Sequence, residues 1–319
     1  MFAPYASGRI PTHPRSEDLD DTRLGNFVRA PQGNFGDILR EIREGDFVLL
    51  GYPDDRGVDR NGGRLGAADA PDAIRKYLYN MTPDPTRQRP DFLIWDLGNM
   101  KSWSLSLSDA HMTARKAIEE IRITGARIIT LGGGHDWAYP DFADFRGRII
   151  NVDAHLDMRP LTKDVEASSH SGTPFRKLVT QRTDAPPLSI LGLQKHCNAH
   201  HHLEFAQGTR ANLIFLEDLP STFEAQWDLI RDKFGLAAGS EPFGLSIDMD
   251  AFAQSIAPGV SAPQSFGLDP NIVRRLIESL AKRTRHLGIY EMNPLYDRDG
   301  ETARLAARLI HNFLFSSRG

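Results

Sequence analysis

Four short polar segments carry the residues that could do chemistry, and each follows an apolar run. They are Gly132-Gly133-Gly134-His135-Asp136, Asp153-Ala154-His155-Leu156-Asp157, Asp248-Met249-Asp250 and Glu291-Met292-Asn293-Pro294. Carboxylate oxygens and imidazole nitrogens are ligands for hard and borderline divalent cations. Side chains two apart on an extended chain share a face, so Asp153, His155 and Asp157 can converge, as can Asp248 and Asp250. Ionisable groups crowded on one face are costly to desolvate without a cation between them. Taken singly, each segment also has an ordinary explanation: a structural histidine after a glycine turn, a solvated acidic loop, a surface glutamate before a proline turn. Together, Asp153, Asp157, Asp248 and Asp250 supply four negative charges, which matches two divalent cations. A donor set of carboxylates and two imidazoles suits Mn²⁺ better than a structural zinc centre, which favours thiolates. The single cysteine, Cys197, excludes a four-ligand Cys₄ or Cys₂His₂ zinc site within one chain.

The elements that must position these residues alternate. Apolar runs at 47–51, 92–96, 127–131, 148–152, 188–193, 212–216, 243–247 and 287–290 read as strands. Helical patterns lie between most of them, for example 70–78 (with Pro71 near its start), 108–124, 224–234 and 270–283. Strands nearly continuous in Ile, Val and Leu, separated by helices, predict a parallel sheet covered on both faces. Ligands of such sheets bind beyond the carboxyl ends of the strands. All four polar segments fall there. Residues 1–45 are rich in Pro, Gly, Arg and Asp and weakly periodic; no repeat or linker divides the remainder. The prediction is one catalytic domain over 1–319, with 1–45 an extension packed on it.

Bulk properties narrow the partners. The chain has 319 residues, 38 Lys plus Arg and 42 Asp plus Glu, for a net charge of −4. That balance offers no broad attraction to nucleic acid or anionic lipid. One cysteine forbids an intramolecular disulfide and fits a reducing compartment. No run approaches the roughly 20 apolar residues of a membrane span, and the N-terminus lacks an apolar signal core. A cytoplasmic protein acting on a small molecule is expected.

The ordered set Gly-Gly-Gly-His135, Asp153-Ala-His155-Leu-Asp157, Ser246-Ile-Asp248-Met-Asp250 and Glu291-Met-Asn-Pro resembles the arginase-like ureohydrolase family, over about residues 46–312. Within it, Asn61-Gly-Gly-Arg64-Leu-Gly-Ala67, Pro71-Asp-Ala-Ile-Arg75, His170-Ser-Gly-Thr-Pro-Phe-Arg176 and Ala257-Pro-Gly-Val-Ser-Ala-Pro263 are most similar to the formimidoylglutamase branch. Arginases usually carry Asp-Pro soon after Asp-x-Asp; here the chain reads Phe252-Ala253-Gln254-Ser255.

The resemblance implies a three-layer α/β/α fold around a mostly parallel eight-stranded sheet, assembled as a trimer or hexamer. It implies two Mn²⁺ per subunit, with His135 and Asp157 on one ion, His155 and Asp250 on the other, and Asp153 and Asp248 bridging. The reaction would be attack of an activated water on the amidino carbon of N-formimino-L-glutamate, releasing L-glutamate and formamide. Asp157 would carry the proton and Glu291 orient the amidinium. His170 is a candidate proton shuttle, and Arg159 and Arg176 are candidates for the substrate carboxylates. For these three, and for Arg60 and Arg64, ordinary loop contacts are the competing explanation. The tract His196, His200, His201 and His202 reads as a solvated loop and helix start. Two alternatives stand beside this expectation: a guanidino hydrolase releasing urea from agmatine, guanidinobutyrate or arginine, and a non-catalytic metal-binding module.

Overall fold

An unbroken apolar strand has two faces to bury, and successive side chains serve them alternately. In the strand 47–51, Phe47 and Leu49 enter one core while Val48 and Leu50 enter the other. The same division repeats across the sheet and gives the protein its three layers. The computed structural model describes residues 2–3, 22–31, 33–84, 90–181 and 187–316.

Among these residues the strands are β1 (Phe2–Ala3), β2 (Val28–Arg29), β3 (Phe47–Gly51), β4 (Ile94–Met100), β5 (Arg127–Leu131), β6 (Arg148–Val152), β7 (Leu188–Leu193), β8 (Asn212–Phe215), β9 (Phe243–Asp248) and β10 (Thr284–Tyr290). They form one sheet in the order β1-β4-β3-β5-β10-β9-β6-β7-β8, with β2 also on β4. The eight strands from β3 to β10 are all parallel to their neighbours. The expected eight-stranded parallel sheet is therefore present. It is extended at the β4 edge by two dipeptides from the N-terminal segment, β2 parallel and β1 antiparallel. Neither dipeptide has an apolar run to mark it. Residues 4–21 of the extension expected to pack on the domain lie outside the described residues.

The helices are α1 (Phe35–Glu41), α2 (Arg56–Arg60), α3 (Ala70–Tyr79), α4 (Leu107–Ile123), α5 (Ala138–Phe142), α6 (Pro174–Gln181), α7 (His200–Gly208), α8 (Phe223–Lys233), α9 (Pro270–Leu280) and α10 (Glu301–Ser316). α3, α8, α9 and α10 cover one face of the sheet, and α4, α5, α6 and α7 the other. Local chemistry starts them where the sequence suggests. Ser106 accepts a hydrogen bond from the Asp109 amide at 3.1 Å to cap α4, and Asp269 caps α9 ahead of Pro270. No helix among the described residues is long and apolar enough to cross a membrane.

β4 runs past the expected end at Asp96 because that residue does not terminate the strand. Its carboxylate is buried against Arg75 of α3, with Nε and Nη2 each at 2.9 Å and the Tyr79 hydroxyl at 2.5 Å. A satisfied charge is tolerated where an unpaired one would not be.

Candidate active site

The sheet order sets β5, β10, β9 and β6 side by side. These are the four strands whose carboxyl ends carry the polar segments, so the topology gathers them at one edge. After β5 the chain turns through Gly132–Gly134. A Cβ on Gly133 would lie 2.0 Å from the Asp54 carbonyl oxygen, so only glycine lets the loop pass this close. His135 then opens a short 3-10 turn and is buried. Its Nε2 lies 2.8 Å from the Ser246 hydroxyl on β9. That contact leaves Nδ1 facing Asp157 at 2.9 Å, Asp248 at 3.0 Å and Asp153 at 3.2 Å. A hydrogen bond on one ring nitrogen that orients the other is the usual support of a metal-binding histidine.

β6 ends at Val152, so Asp153, His155 and Asp157 belong to the following loop. Strand alternation is thus not what brings them together. The Asn198 side chain accepts from the Leu156 amide at 2.8 Å and donates to the Ala154 carbonyl at 2.9 Å, which pins the loop. Asp157 takes a left-handed backbone, φ 49°, that turns its carboxylate back toward His135. Asp153 is held by Asn151 Nδ2 at 3.0 Å and by the His155 amide at 2.7 Å. Asp248 is the last residue of β9, and its Oδ1 accepts from the Asp250 amide at 2.8 Å. Asp250 lies 3.0 Å from His155 Nδ1, which is itself 3.5 Å from Asp153.

Two donor groups result: His135, Asp153, Asp157 and Asp248 in one, and Asp153, His155 and Asp250 in the other. Asp153 is common to both. The electrostatics show what is stored here. Burial opposes a charge on His135, but Asp153, Asp157 and Asp248 outweigh it and raise its affinity for a proton well above the usual value. Burial, with Asp153 beside it, pushes Asp157 up to about 6. Burial, with Asp250 and Asp153, also raises Asp248. Four carboxylates sharing two imidazoles are in excess of negative charge. Among the described residues, Asp250 Oδ1 is buried without a hydrogen-bond partner, and His135 Nδ1 faces the three carboxylates alone. The donor set fits a pair of divalent cations.

Glu291 follows β10 with φ 62° and is buried, raised to about 8 chiefly by that burial. Its Oε1 accepts from the His135 amide at 2.7 Å, and its Oε2 accepts from the Ser261 hydroxyl. Above these groups opens a cleft of about 290 Å³. His155, Asp157, Asp248, Asp250, Glu291 and Arg159 line it, with Asn61, Ser171, Cys197, Asn198, His202 and Ser261.

The other sequence candidates are elsewhere. His170 is half-buried outside the lining, and burial, then Arg159, depresses it to about 4. The Arg176 guanidinium sits 3.4 Å over the Phe205 ring, also outside the lining. Arg60 bonds the Glu166 carbonyl at 2.8 Å, and Arg64 stacks on Tyr296 at 3.9 Å. In the histidine tract, His200 and His201 are exposed on α7, while His202 turns into the cleft. Ser246 could have been recognised from its two-residue spacing to Asp248 on one strand. Asn198 and His202 had no such signal, because only the fold brings α7 and the preceding turn to the site.

Residues 45–316 match the profile of the Arginase family. The chain belongs to the arginase family. It is a metal-dependent hydrolase of the ureohydrolase type. A formimidoylglutamase of Macrococcus caseolyticus is 34% identical over 316 residues, covering 93% of each chain. One of Salmonella arizonae is 35% identical over 275 residues, 82% of each. Among solved structures, Trypanosoma cruzi formiminoglutamase with Mn²⁺ superposes with a TM-score of 0.77 at 26% identity, covering 93% of this chain and 98% of that one. The Bacillus subtilis formimidoylglutamase shares the fold, with a TM-score of 0.81 at 21% identity over 94% and 92%.

Proposed function

We propose that this hydrolase converts N-formimino-L-glutamate and water to L-glutamate and formamide, using two Mn²⁺ held by His135, Asp153, His155, Asp157, Asp248 and Asp250. The observation that carries it is the meeting of those six side chains in two groups that share Asp153, four of them lining one cleft with Glu291 and Arg159. The relatives named formimidoylglutamase support the choice of substrate. Bound there, the ions would supply Lewis acidity that lowers the pKa of a water by several units.

The chain's own residues do the rest. Glu291 accepts hydrogen bonds from the planar amidinium and turns its electrophilic carbon toward the metal ligands. Asp157, placed among the residues that would hold the ions, receives the proton of the attacking water and returns it to the departing glutamate nitrogen as the C–N bond breaks. Arg159 offers a cation to a substrate carboxylate. His170, uncharged near neutral pH, could relay a proton only through an intervening group. Arg176 would have to leave Phe205 to reach the substrate. Residues 1–319 would act as one catalytic domain, with 1–45 packed on it, of a cytoplasmic homo-oligomer, a trimer or hexamer by family resemblance; sedimentation tests the assembly. The decisive assay is a substrate panel on manganese-loaded protein, following formamide, glutamate and urea. Formamide and glutamate are expected; urea from a guanidino compound, with formiminoglutamate inert, refutes the substrate.

A further inference from the structure

Beneath the metal-binding edge lies a buried polar cluster that the hydrolytic scheme does not use. At its centre is Asp141 of α5, fully buried with Tyr52, Thr130, His286 and Tyr290. Its Oδ1 accepts from the Tyr52 hydroxyl at 2.5 Å. Its Oδ2 accepts from the Thr130 hydroxyl at 2.6 Å and from the Tyr290 hydroxyl. His286 Nε2 lies 3.2 Å from Thr130 Oγ1 and 3.5 Å from Asp141.

The two tyrosines lead directly to the site. The Tyr290 ring stacks on the His135 imidazole, centroids 4.9 Å apart at 25°. The Tyr52 ring stacks on Trp137, 4.4 Å apart at 16°. His135 and Trp137 begin and end the same 3-10 turn. Tyr290 also immediately precedes Glu291, whose Oε1 accepts from the His135 amide. One carboxylate thus fixes the two rings on which the His135 turn rests. A carboxylate buried among hydroxyls and an imidazole is expensive to maintain. An apolar filler would stack less specifically and orient nothing.

We propose that Asp141 is a positioning residue for the metal centre, holding His135 through Tyr290 and the turn through Tyr52. The proposal rests on the metal-site reading above, so its test reads metal affinity rather than turnover. Mn²⁺ is titrated into metal-free wild type, Asp141→Asn and Tyr290→Phe, by calorimetry with electron paramagnetic resonance. Tyr290→Phe keeps the ring and removes only the hydroxyl, so it decides the matter if Asp141→Asn fails to fold. Loss of an outer-shell partner typically weakens metal binding about 10- to 100-fold. That loss is expected at the position built on His135, with the one built on His155 and Asp250 unchanged, and an altered coupling signal between the ions. Folded variants that bind both ions as the wild type does, or that weaken both positions equally as general loosening would, overturn the proposal. A wild type that binds no ion pair overturns the metal-centre reading itself, and this proposal with it.

Discussion

Replacing Glu291 by Gln separates charge from shape at the floor of the cleft. Glu291 is 3% exposed and makes two internal hydrogen bonds, one from the His135 amide at 2.7 Å and one from the Ser261 hydroxyl. Glutamine keeps both in a rotated form: its carbonyl oxygen accepts from the His135 amide, and its amide nitrogen donates to the Ser261 oxygen. The scaffold and the left-handed backbone at 291 are therefore retained. What is lost is a negative charge: burial raises Glu291 to about 8, and a cationic amidinium beside it lowers that value and keeps the carboxylate ionised. A hydrogen bond to a charged partner contributes about 1.5–3 kcal/mol. At about 1.4 kcal/mol per tenfold, Glu291→Gln should lower kcat/KM by about 10- to 150-fold. Steady-state kinetics with N-formimino-L-glutamate, alongside metal analysis and a melting curve, make the measurement. Mn²⁺ content should stay at the wild-type level. Wild-type kcat/KM in the variant would refute the role given to the carboxylate. A loss of activity that tracks a loss of metal would show instead that Glu291 serves the ions.

Three further outcomes are expected. Arg75→Met should destabilise the fold by about 3–5 kcal/mol, because it strands the Asp96 carboxylate, buried with only Tyr79 and the Gly98 amide left as donors among the described residues; denaturant unfolding checks it, and a loss under 1 kcal/mol would contradict it. Lys177 is pushed down from 10.5 to about 8, mainly by burial beside Ser169. Between those pH values the unfolded chain holds a proton that the folded chain has released, so the residue's contribution to stability rises with pH, by about 3 kcal/mol at most. Lys177→Met should be more stable than the wild type at pH 7 and lack that rise, as unfolding titrations at pH 7 to 10.5 would reveal. Cys197, the single cysteine, lines the cleft, so alkylation by iodoacetamide should abolish turnover, be slowed by substrate, and leave Cys197→Ser unaffected.

The strands were the legible part of the fold. Runs such as 127–131, 148–152 and 188–193 coincide with β5, β6 and β7 because a strand buried on both faces leaves a solid apolar signature. The helix α10 lies beyond the last strand, outside the strand–helix alternation, and its cap is remote from its first residue: the Asp297 carboxylate accepts from the Thr302 and Ala303 amides at 2.8 and 3.0 Å. β4 was misplaced for a different reason. Asp96, Gly98 and Asn99 look like a loop until Arg75, 21 residues earlier than Asp96, is brought against them. Long-range pairing decides such cases, and no local pattern carries it.

At the site, residue types were legible and their geometry was not. The order of polar segments after apolar runs was enough to name six side chains, since a parallel sheet delivers every strand's carboxyl end to one edge. The convergence within each segment, however, does not follow from strand alternation. Asp157 and Glu291 both need left-handed backbones, at φ 49° and 62°. Such conformations cost non-glycine residues roughly 1–3 kcal/mol and persist only where neighbours over-determine them. Here those neighbours are remote in sequence: Asn198 fastens the loop before Asp157, and the His135 amide and Ser261 fasten Glu291. The strain therefore sits at the two carboxylates assigned the proton and the amidinium, and the residues that sustain it come from other turns. A sequence shows which groups are available for catalysis; the contacts that hold them in unfavourable backbone conformations exist only once the sheet has assembled.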